Sequence, residues 1–446
     1  MAIDGLVHRA RDIKAAARQF LPAAINTRKE RFEEIQRVLT ESGALLEDPD
    51  NHTRVLAQKE VHETLVRFNR LRRSRVPDVL ETGLFLALFS AFDAFTGDLL
   101  RGIYARKPGL FGSLNKSISF GDVLAAPSIE ALKMQVLDDD IETLRRKSYV
   151  DQFATLAQRF DVKLTAFDRW PEFVECSQRR NLLTHCDGVV TDQYLQVCRE
   201  AGVASAGLPD NGSKVKLGAT YFYAACELVL EVGLKLGQTL WRKTLPEELE
   251  VADSQLMRTI YEALENHNWA RARISGEFAF NQRKLYSDSN RKIVIVNYSQ
   301  ALKRDGAVEE AHKILGDVDW SAAANDFKLA RAVLLEDYDE ASKLMRKIGL
   351  KGELLDEAGY HTWPVFIEFR ETEQFISTYL EVFGHPYSSK LREEADQASK
   401  RAGEEAKNDP AEATSTVEER GSPMSNDEQQ PSIVLATGSG AENTGG

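Results

Sequence analysis

The 446-residue chain lacks the features that mark several common protein classes. Its four cysteines show no CxxC pair and no paired spacing, a pattern typical of reduced structural thiols rather than of disulfides. No apolar run reaches the roughly 18 residues that a membrane-spanning helix needs. The N-terminal segment also lacks the apolar stretch of a secretory signal. We therefore expect a cytoplasmic protein that does not associate with a membrane.

Familiar catalytic motifs are also missing. The sequence contains no P-loop, no GxGxxG after a strand, no GxSxG and no HExxH. It has no convincing cluster of metal-ligating residues, so we expect neither a metal nor a cofactor. The formal charge of −12 argues against a protein that coats nucleic acid by bulk electrostatics. Half of it falls after Tyr387, where 6 Lys and Arg stand against 12 Asp and Glu.

What the chain does contain is helical periodicity nearly everywhere, interrupted by only 13 prolines. The pattern predicts an all-α fold. We expect charged helices over 1–54, a helical bundle over 55–245, helical-hairpin repeats over 255–387 and a disordered acidic tail over 392–446. The apolar run Lys292–Tyr298 fits a strand or a helix, because periodicity alone does not assign short apolar runs.

Three segments of the C-terminal half share one plan that predicts helical hairpins. Each has an apolar first helix, a polar turn, and then a bulky residue followed three positions later by alanine. These pairs are Trp269/Ala272, Val308/Ala311 and Tyr338/Ala341. A small alanine lets paired helices approach closely. The irregular spacing resembles a degenerate tetratricopeptide array, a type of surface that binds protein partners.

One nearly all-apolar helix, expected over Val79–Arg106 with Asp78 as its N-cap, should be buried at the centre of the bundle. It carries Asp93, and a carboxylate in such a setting needs a partner. Asp93 is either satisfied by a neighbouring arginine or amide, or serves as an acid near a catalytic site. Just before this helix, arginines at 67, 70, 72, 73 and 75 form either a solvated helix end or a surface that faces RNA.

The most informative segment is the helix expected over 171–187, which contains RNLLTH and ends at Gly188. Arg180 and His185 are its candidate catalytic residues, with Asn181 directly after the arginine. On a straight helix, residues five apart differ by about 140° and ~7.5 Å, so these two side chains are not adjacent. A joint site needs the reach of the arginine, an unwound helix end, or a second copy in a dimer.

Arg180-x4-His185 with a polar residue after the arginine resembles the motif of the HEPN superfamily (higher eukaryotes and prokaryotes nucleotide-binding). The flanking segments LFLALFSAFDAFTGDLL, LAQRFDVKL and GSKVKLGATYFYAACELV are similar to its RiboL-PSP-like and related predicted-nuclease branch, and the resemblance covers roughly 55–243. It implies a helical bundle that forms a homodimer with the motif helices close together. Many members are metal-independent endoribonucleases, often toxins or antiviral defence effectors.

The resemblance implies that Arg180 holds the phosphate of an RNA substrate, His185 acts as acid and base, Asn181 positions them and Asp93 supports them. A histidine and an arginine fork suit that chemistry. Arg179 also satisfies the spacing and is a candidate substrate-binding residue. Other interpretations stay open: a structural Arg180 paired with Glu175 or Glu172, an inactive dimerisation module whose repeats bind a partner, or a nucleotide-binding regulator.

Overall fold

In the computed structural model, residues 2–114 and 116–388 are described, and within them the chain is all-α, as predicted. Seventeen α-helices and six short 3₁₀ helices account for the regular structure of this part, which otherwise has only two isolated β-bridges. The tail predicted over 392–446 lies outside the described residues. The chain forms two compact units, one ending at Ala252 and one beginning at Asp253.

Nine helices build the first unit. They are α1 (Ala2–Ala44), α2 (Asn51–Arg73), α3 (Val76–Arg106), α4 (Phe120–Ala125), α5 (Ile129–Arg145), α6 (Tyr149–Phe160), α7 (Trp170–His185), α8 (Asp192–Glu200) and α9 (Gly218–Thr244).

The apolar helix α3 lies in the core of this unit, where α1, α5, α7 and α9 pack against it. Phe85, Phe89, Phe92 and Phe95 are each 0% exposed. Burial of one such side chain stabilises the fold by roughly 1.5–3 kcal/mol. The predicted central helix is therefore present, and its burial provides much of the hydrophobic core.

The start of α3 differs from the sequence prediction. Asp78 was expected as the N-cap, but the helix begins at Val76 and Arg75 occupies the cap position without a side-chain capping bond. Pro77 lies in the first turn, where a proline has no N–H bond to lose and a suitable φ angle. Asp78 is instead an acidic residue of that first turn, where it interacts favourably with the helix dipole.

Close packing of α1 on α9 depends on two glycines. A Cβ atom built on Gly233 would lie 2.3 Å from Leu6 Cδ2, and one on Gly237 would lie 2.8 Å from Ile3 Cγ1. Both Leu6 and Ile3 are buried. The first turns of α1 therefore belong to the core around α3 and α9.

By length and composition alone, one helical stretch of the described chain, within Asn51–Arg106, is apolar enough to cross a bilayer. A buried core helix passes the same test, and α3 carries the phenylalanines of the core. The expectation that the chain does not associate with a membrane stays a prediction.

The second unit begins with three helical hairpins, at the positions that the sequence plan predicted. They are α10 (Leu249–Glu265) with α11 (Trp269–Phe280), α12 (Asp288–Arg304) with α13 (Val308–Gly316), and α14 (Asn325–Leu334) with α15 (Tyr338–Ile348). Two further helices, α16 (Glu357–Thr362) and α17 (Glu373–Phe383), follow them. The ambiguous run Lys292–Tyr298 is helical and lies within α12.

The three hairpins share one turn geometry. Each turn has a residue with positive φ two positions before the second helix: His267 at 53°, Gly306 at 90° and Glu336 at 61°. In each, the next N–H donates to a carbonyl five residues earlier, with N···O distances of 2.8 Å (Asn268 to Ala263), 2.9 Å (Ala307 to Leu302) and 2.9 Å (Asp337 to Ala332). The alanines of the plan, Ala272, Ala311 and Ala341, are at most 1% exposed.

Replacement of Gly233 by valine is expected to destabilise the first unit by about 1–3 kcal/mol, because Leu6 has to move away from the new side chain. The same replacement at Gly5, where a Cβ would meet nothing within 4 Å, should change stability by no more than about 0.5 kcal/mol. Urea denaturation of the full-length variants measures both. Equal stability of the two variants would contradict the packing described for α1 and α9.

Candidate active site

Helix α7 carries the motif, and local sequence fixes both of its ends. Pro171 lies in the first turn, and the helix ends at His185. Asp187 and Gly188 then adopt positive φ angles of 49° and 76°. This reverses the chain, so that Val190 N–H donates to the Ser213 carbonyl at 2.8 Å and Val215 N–H donates to the Gly188 carbonyl at 2.9 Å. The end of α7 is therefore tied to the extended segment 213–215.

Arg179 is held in a network inside the first unit. Its guanidinium pairs with Glu175 at 2.6 Å, donates to the Lys216 carbonyl at 2.9 Å and lies 4.0 Å above the Tyr221 ring. Tyr194 and Tyr221 each donate a 2.6 Å hydrogen bond to Glu175. Burial acts to lower the pKa of Arg179, but Tyr221 and Glu175 raise it overall. Glu175 thus pairs with Arg179 rather than with Arg180.

Arg180, the next residue, has a different environment. Its half-buried guanidinium donates a 3.1 Å hydrogen bond to the Asn181 side-chain oxygen. Within the described part of the chain, no carboxylate lies within 4 Å of it. Burial raises the pKa values of both Asp93 and Tyr149, and the charge of Arg180 partly opposes this, so these groups lie within electrostatic range of it. Arg180 of α7 and Asp93 of α3 therefore lie in the same region of the first unit.

Asp93 is positioned by two residues that the motif does not contain. Tyr149, at the start of α6, donates a 2.7 Å hydrogen bond to the Asp93 carboxylate. Arg145, at the end of α5, donates to the Asp93 carbonyl at 2.8 Å. The Arg145 guanidinium occupies the space where a Gly97 side chain would be, since a Cβ there would lie 2.2 Å from Nη2. Burial raises the pKa of Asp93, against the lowering effects of Tyr149, Arg180 and Arg145.

His185 lies at the exposed end of α7 and has no hydrogen-bonding partner among the described residues. Five positions along the helix separate it from Arg180, which corresponds to about 140° and ~7.5 Å. Two residues further on, Asp187 accepts a 2.5 Å hydrogen bond from Lys214 and lies 3.5 Å from Arg75. One chain therefore presents Arg180 with Asp93 on one side of the helix and His185 with basic neighbours on another.

Sequence reasoning named Asp93, Asn181 and Arg180, which lie in one region, but it missed Tyr149 and Arg145. Tyr149 is 56 positions from Asp93, and no local pattern marks it as a partner. The sequence signal that points to Arg145 is Gly97, a glycine four residues after Asp93 on α3, because a side chain there would clash with the guanidinium. Both residues belong to helices of the bundle predicted over 55–245, but periodicity along the chain does not show which helices pack against each other.

The four cysteines are free thiols, three of them buried and Cys186 half-buried, as expected. Burial raises the pKa of the Cys198 thiol to about 12, which makes it a poor nucleophile. Among the residues described, no three His, Cys, Asp or Glu side chains are grouped so that they could hold a metal ion. The groups available for chemistry on α7 are therefore a guanidinium, an amide and an imidazole.

The raised pKa of Asp93 predicts how the stability of the protein depends on pH. A carboxyl group whose folded pKa is raised favours folding at acidic pH, and this contribution is lost as the pH rises through the folded pKa. Relative to wild type, Asp93→Asn should therefore gain stability from acidic to neutral pH, measured by urea denaturation.

The matched control is Asp50, the N-cap of α2, whose pKa is lowered by the backbone and side chain of Thr53. Asp50→Asn should lose stability relative to wild type over the same pH range, because the native carboxylate contributes above its unfolded pKa. Parallel behaviour of the two variants would contradict the burial of Asp93.

Comparison with known proteins does not assign the chain to a family. No protein-family model matches the chain, and no curated protein and no solved structure matches it either.

Proposed function

We propose that the protein is a HEPN-type endoribonuclease that acts as a homodimer and needs no metal. The observation that carries the proposal is the contrast between the two neighbouring arginines of α7. Arg179 is fully engaged by Glu175 and Tyr221, whereas among the described residues Arg180 has only the Asn181 oxygen as a hydrogen-bond acceptor and lies near Asp93. A guanidinium that is oriented but not neutralised by direct contact is suited to hold a phosphate.

The proposed reaction is attack of a ribose 2′-oxygen on the adjacent phosphorus. His185 accepts the 2′-hydroxyl proton as the O2′–P bond forms, and the P–O5′ bond breaks as the protonated His185 gives that proton, directly or through a water molecule, to the leaving 5′-oxygen. Arg180 binds the charge that accumulates on the phosphate oxygens. Asn181 orients Arg180, and Asp93 adds negative charge that keeps the guanidinium in place. The products are a 2′,3′-cyclic phosphate and a 5′-hydroxyl.

A dimer would bring an Arg180 and a His185 to the same substrate, which a single α7 helix does not. Because Arg180 and His185 differ by about 140° around α7, they do not face one substrate atom from a single straight helix. In a two-fold dimer, the same surface of each copy meets its equivalent, so Arg180 of one chain can face His185 of the other. The proposal therefore includes a composite site made by two α7 helices.

Purified wild-type protein is expected to cleave single-stranded RNA and to leave RNA with 2′-deoxy substitutions intact. His185→Ala should lower the rate by about 10²–10⁴-fold, and Arg180→Ala by about 10²–10³-fold. Electrophoresis and mass spectrometry of the products measure the rates and the cyclic phosphate. Equal rates for wild type and His185→Ala would contradict the catalytic role.

Arg179→Ala is the matched control for Arg180→Ala. It removes the partner of Glu175 inside the fold, so it should reduce stability by about 3 kcal/mol, whereas Arg180→Ala should leave stability nearly unchanged. The reverse result, a stable Arg179→Ala and an unfolded Arg180→Ala, would assign the motif role to Arg179.

Mixing two inactive variants tests the composite site. A dimer of one Arg180→Ala chain and one His185→Ala chain keeps one complete site, formed by Arg180 and His185 of different chains. Random mixing should restore about a quarter of the wild-type activity, since half of the dimers are mixed and each has one complete site of two. If the mixture stays inactive while wild type cleaves RNA, each site lies within a single chain. An inactive wild type would favour a dimerisation module instead.

A further inference from the structure

Cations from separate parts of the sequence meet at the C-terminal end of α7. Asp187, two residues after His185, contacts Arg75 at 3.5 Å through one carboxylate oxygen and Lys214 at 2.5 Å through the other. Arg75 precedes α3 and is 112 positions from Asp187, and Lys214 belongs to the extended segment after α8. One carboxylate thus holds two cations beside the candidate base.

More basic residues continue this surface on both sides. Between Glu63 and Asp78, the chain has five arginines and no acidic residue. Arg72 and Arg73, in the last turn of α2, are exposed and have no ion-pair partner within the described residues. Beside the buried Val215, Lys214 and Lys216 are exposed, so both lysines project to the solvent side.

The positions of Arg75 and Lys214 are held by the fold although their side chains are partly exposed. The Val189–Lys214 bridge and the hydrogen bond from Val215 N–H to the Gly188 carbonyl hold the lysine segment against the end of α7. Lys214, with Arg75, lowers the pKa of Asp187, so this carboxylate is ionised at neutral pH and retains both cations. The side chains of Arg75 and Lys214 are 54% and 45% exposed, which leaves room for a phosphate beside each.

We propose that Arg72, Arg73, Arg75, Lys214 and Lys216 form a binding surface for the RNA backbone, next to His185 and held together by Asp187. Single-stranded RNA fits this surface because it presents a row of phosphates at the spacing of successive nucleotides, and each cation can hold one without reading a base. The inference rests on the proposed ribonuclease function, for which it identifies residues that bind the substrate outside the reacting phosphate. Asp187 is a positioning residue in this surface and does not touch the RNA.

The test uses the double variant Arg75→Gln/Lys214→Gln. The chain offers a matched control in Arg106→Gln/Lys243→Gln. Arg106 pairs with Glu248 and is 53% exposed, and Lys243 pairs with Asp161 and is 45% exposed. Arg106 lies at the opposite end of α3, about 45 Å from Arg75 along the helix. The two double variants therefore remove the same charges, from side chains of equal exposure, at distant places on the first unit.

Binding is measured in full-length protein that also carries His185→Ala, so that the RNA is not consumed. The probe is a fluorescein-labelled single-stranded RNA of mixed sequence, titrated by fluorescence anisotropy at several salt concentrations. Arg75→Gln/Lys214→Gln should weaken binding about tenfold or more at low salt and reduce the slope of log K against log salt by about 1.4, as expected for two lost phosphate contacts. The control variant should bind as the His185→Ala protein does.

Cleavage by variants with His185 intact provides the second measurement. Arg75→Gln/Lys214→Gln should raise KM with little change in kcat, because the surface binds the RNA equally in the ground state and the transition state. Asp187→Asn should weaken binding less than the double variant, since the cations remain but are no longer held together.

The outcomes separate this inference from the proposed function. If wild type cleaves RNA and the double variant binds and cleaves like its control, the proposed RNA-binding surface is wrong and the proposed nuclease function is retained. If wild type binds RNA with the predicted dependence on Arg75 and Lys214 but never cleaves it, the proposed nuclease function is wrong and the proposed RNA-binding surface is retained. If the protein neither binds nor cleaves RNA, both are wrong.

Discussion

The first unit is organised by the burial of α3. A helix that is apolar on nearly every side has to be surrounded, and α1, α5, α7 and α9 together cover it. This burial brings the end of α5, the start of α6 and the middle of α7 to the same helix. Asp93 is the charged residue of α3 around which these helix ends meet, so the position of the candidate site follows from the packing of the core.

Burial also determines how the polar groups are arranged. A carboxylate removed from water needs donors, and Asp93 has Tyr149 at 2.7 Å and the charges of Arg145 and Arg180 nearby. Glu175 meets the same requirement through two tyrosines and Arg179. The two neighbouring arginines of α7 therefore have different environments: Arg179 is paired with Glu175 in the interior, whereas the guanidinium of Arg180 contacts the Asn181 side-chain oxygen.

Much of the fold could be predicted from the sequence. The helix expected over 171–187 corresponds to α7 within two residues, and the apolar helix expected over Val79–Arg106 corresponds to α3 except for its first three residues. The three bulky-residue and alanine pairs each mark the start of a second hairpin helix. Other features were less accessible. Asp78 does not cap α3, because Pro77 already occupies the first turn. The run Lys292–Tyr298 is helical because its β-branched residues are buried within α12, where packing outweighs their local preference.

By itself, the sequence determined the all-α class, the approximate extent of α3 and α7, the hairpin plan and the candidate residues Arg180, Asn181 and His185. These depend on periodicity, on turn residues and on a short motif, which act over a few positions along the chain. Only the tertiary structure decided that Arg179 pairs with Glu175. The same is true of the hydrogen bonds from Tyr149 and Arg145 to Asp93, and of the ion pairs that Asp187 forms with Arg75 and Lys214. Those contacts join helix ends and loops that lie far apart in sequence, except for Arg179 and Glu175. That pair is one helical turn apart, but its tyrosines come from α8 and α9. Side-chain partners of this kind are set by which helices α3 buries beside it, and a one-dimensional pattern does not contain that information.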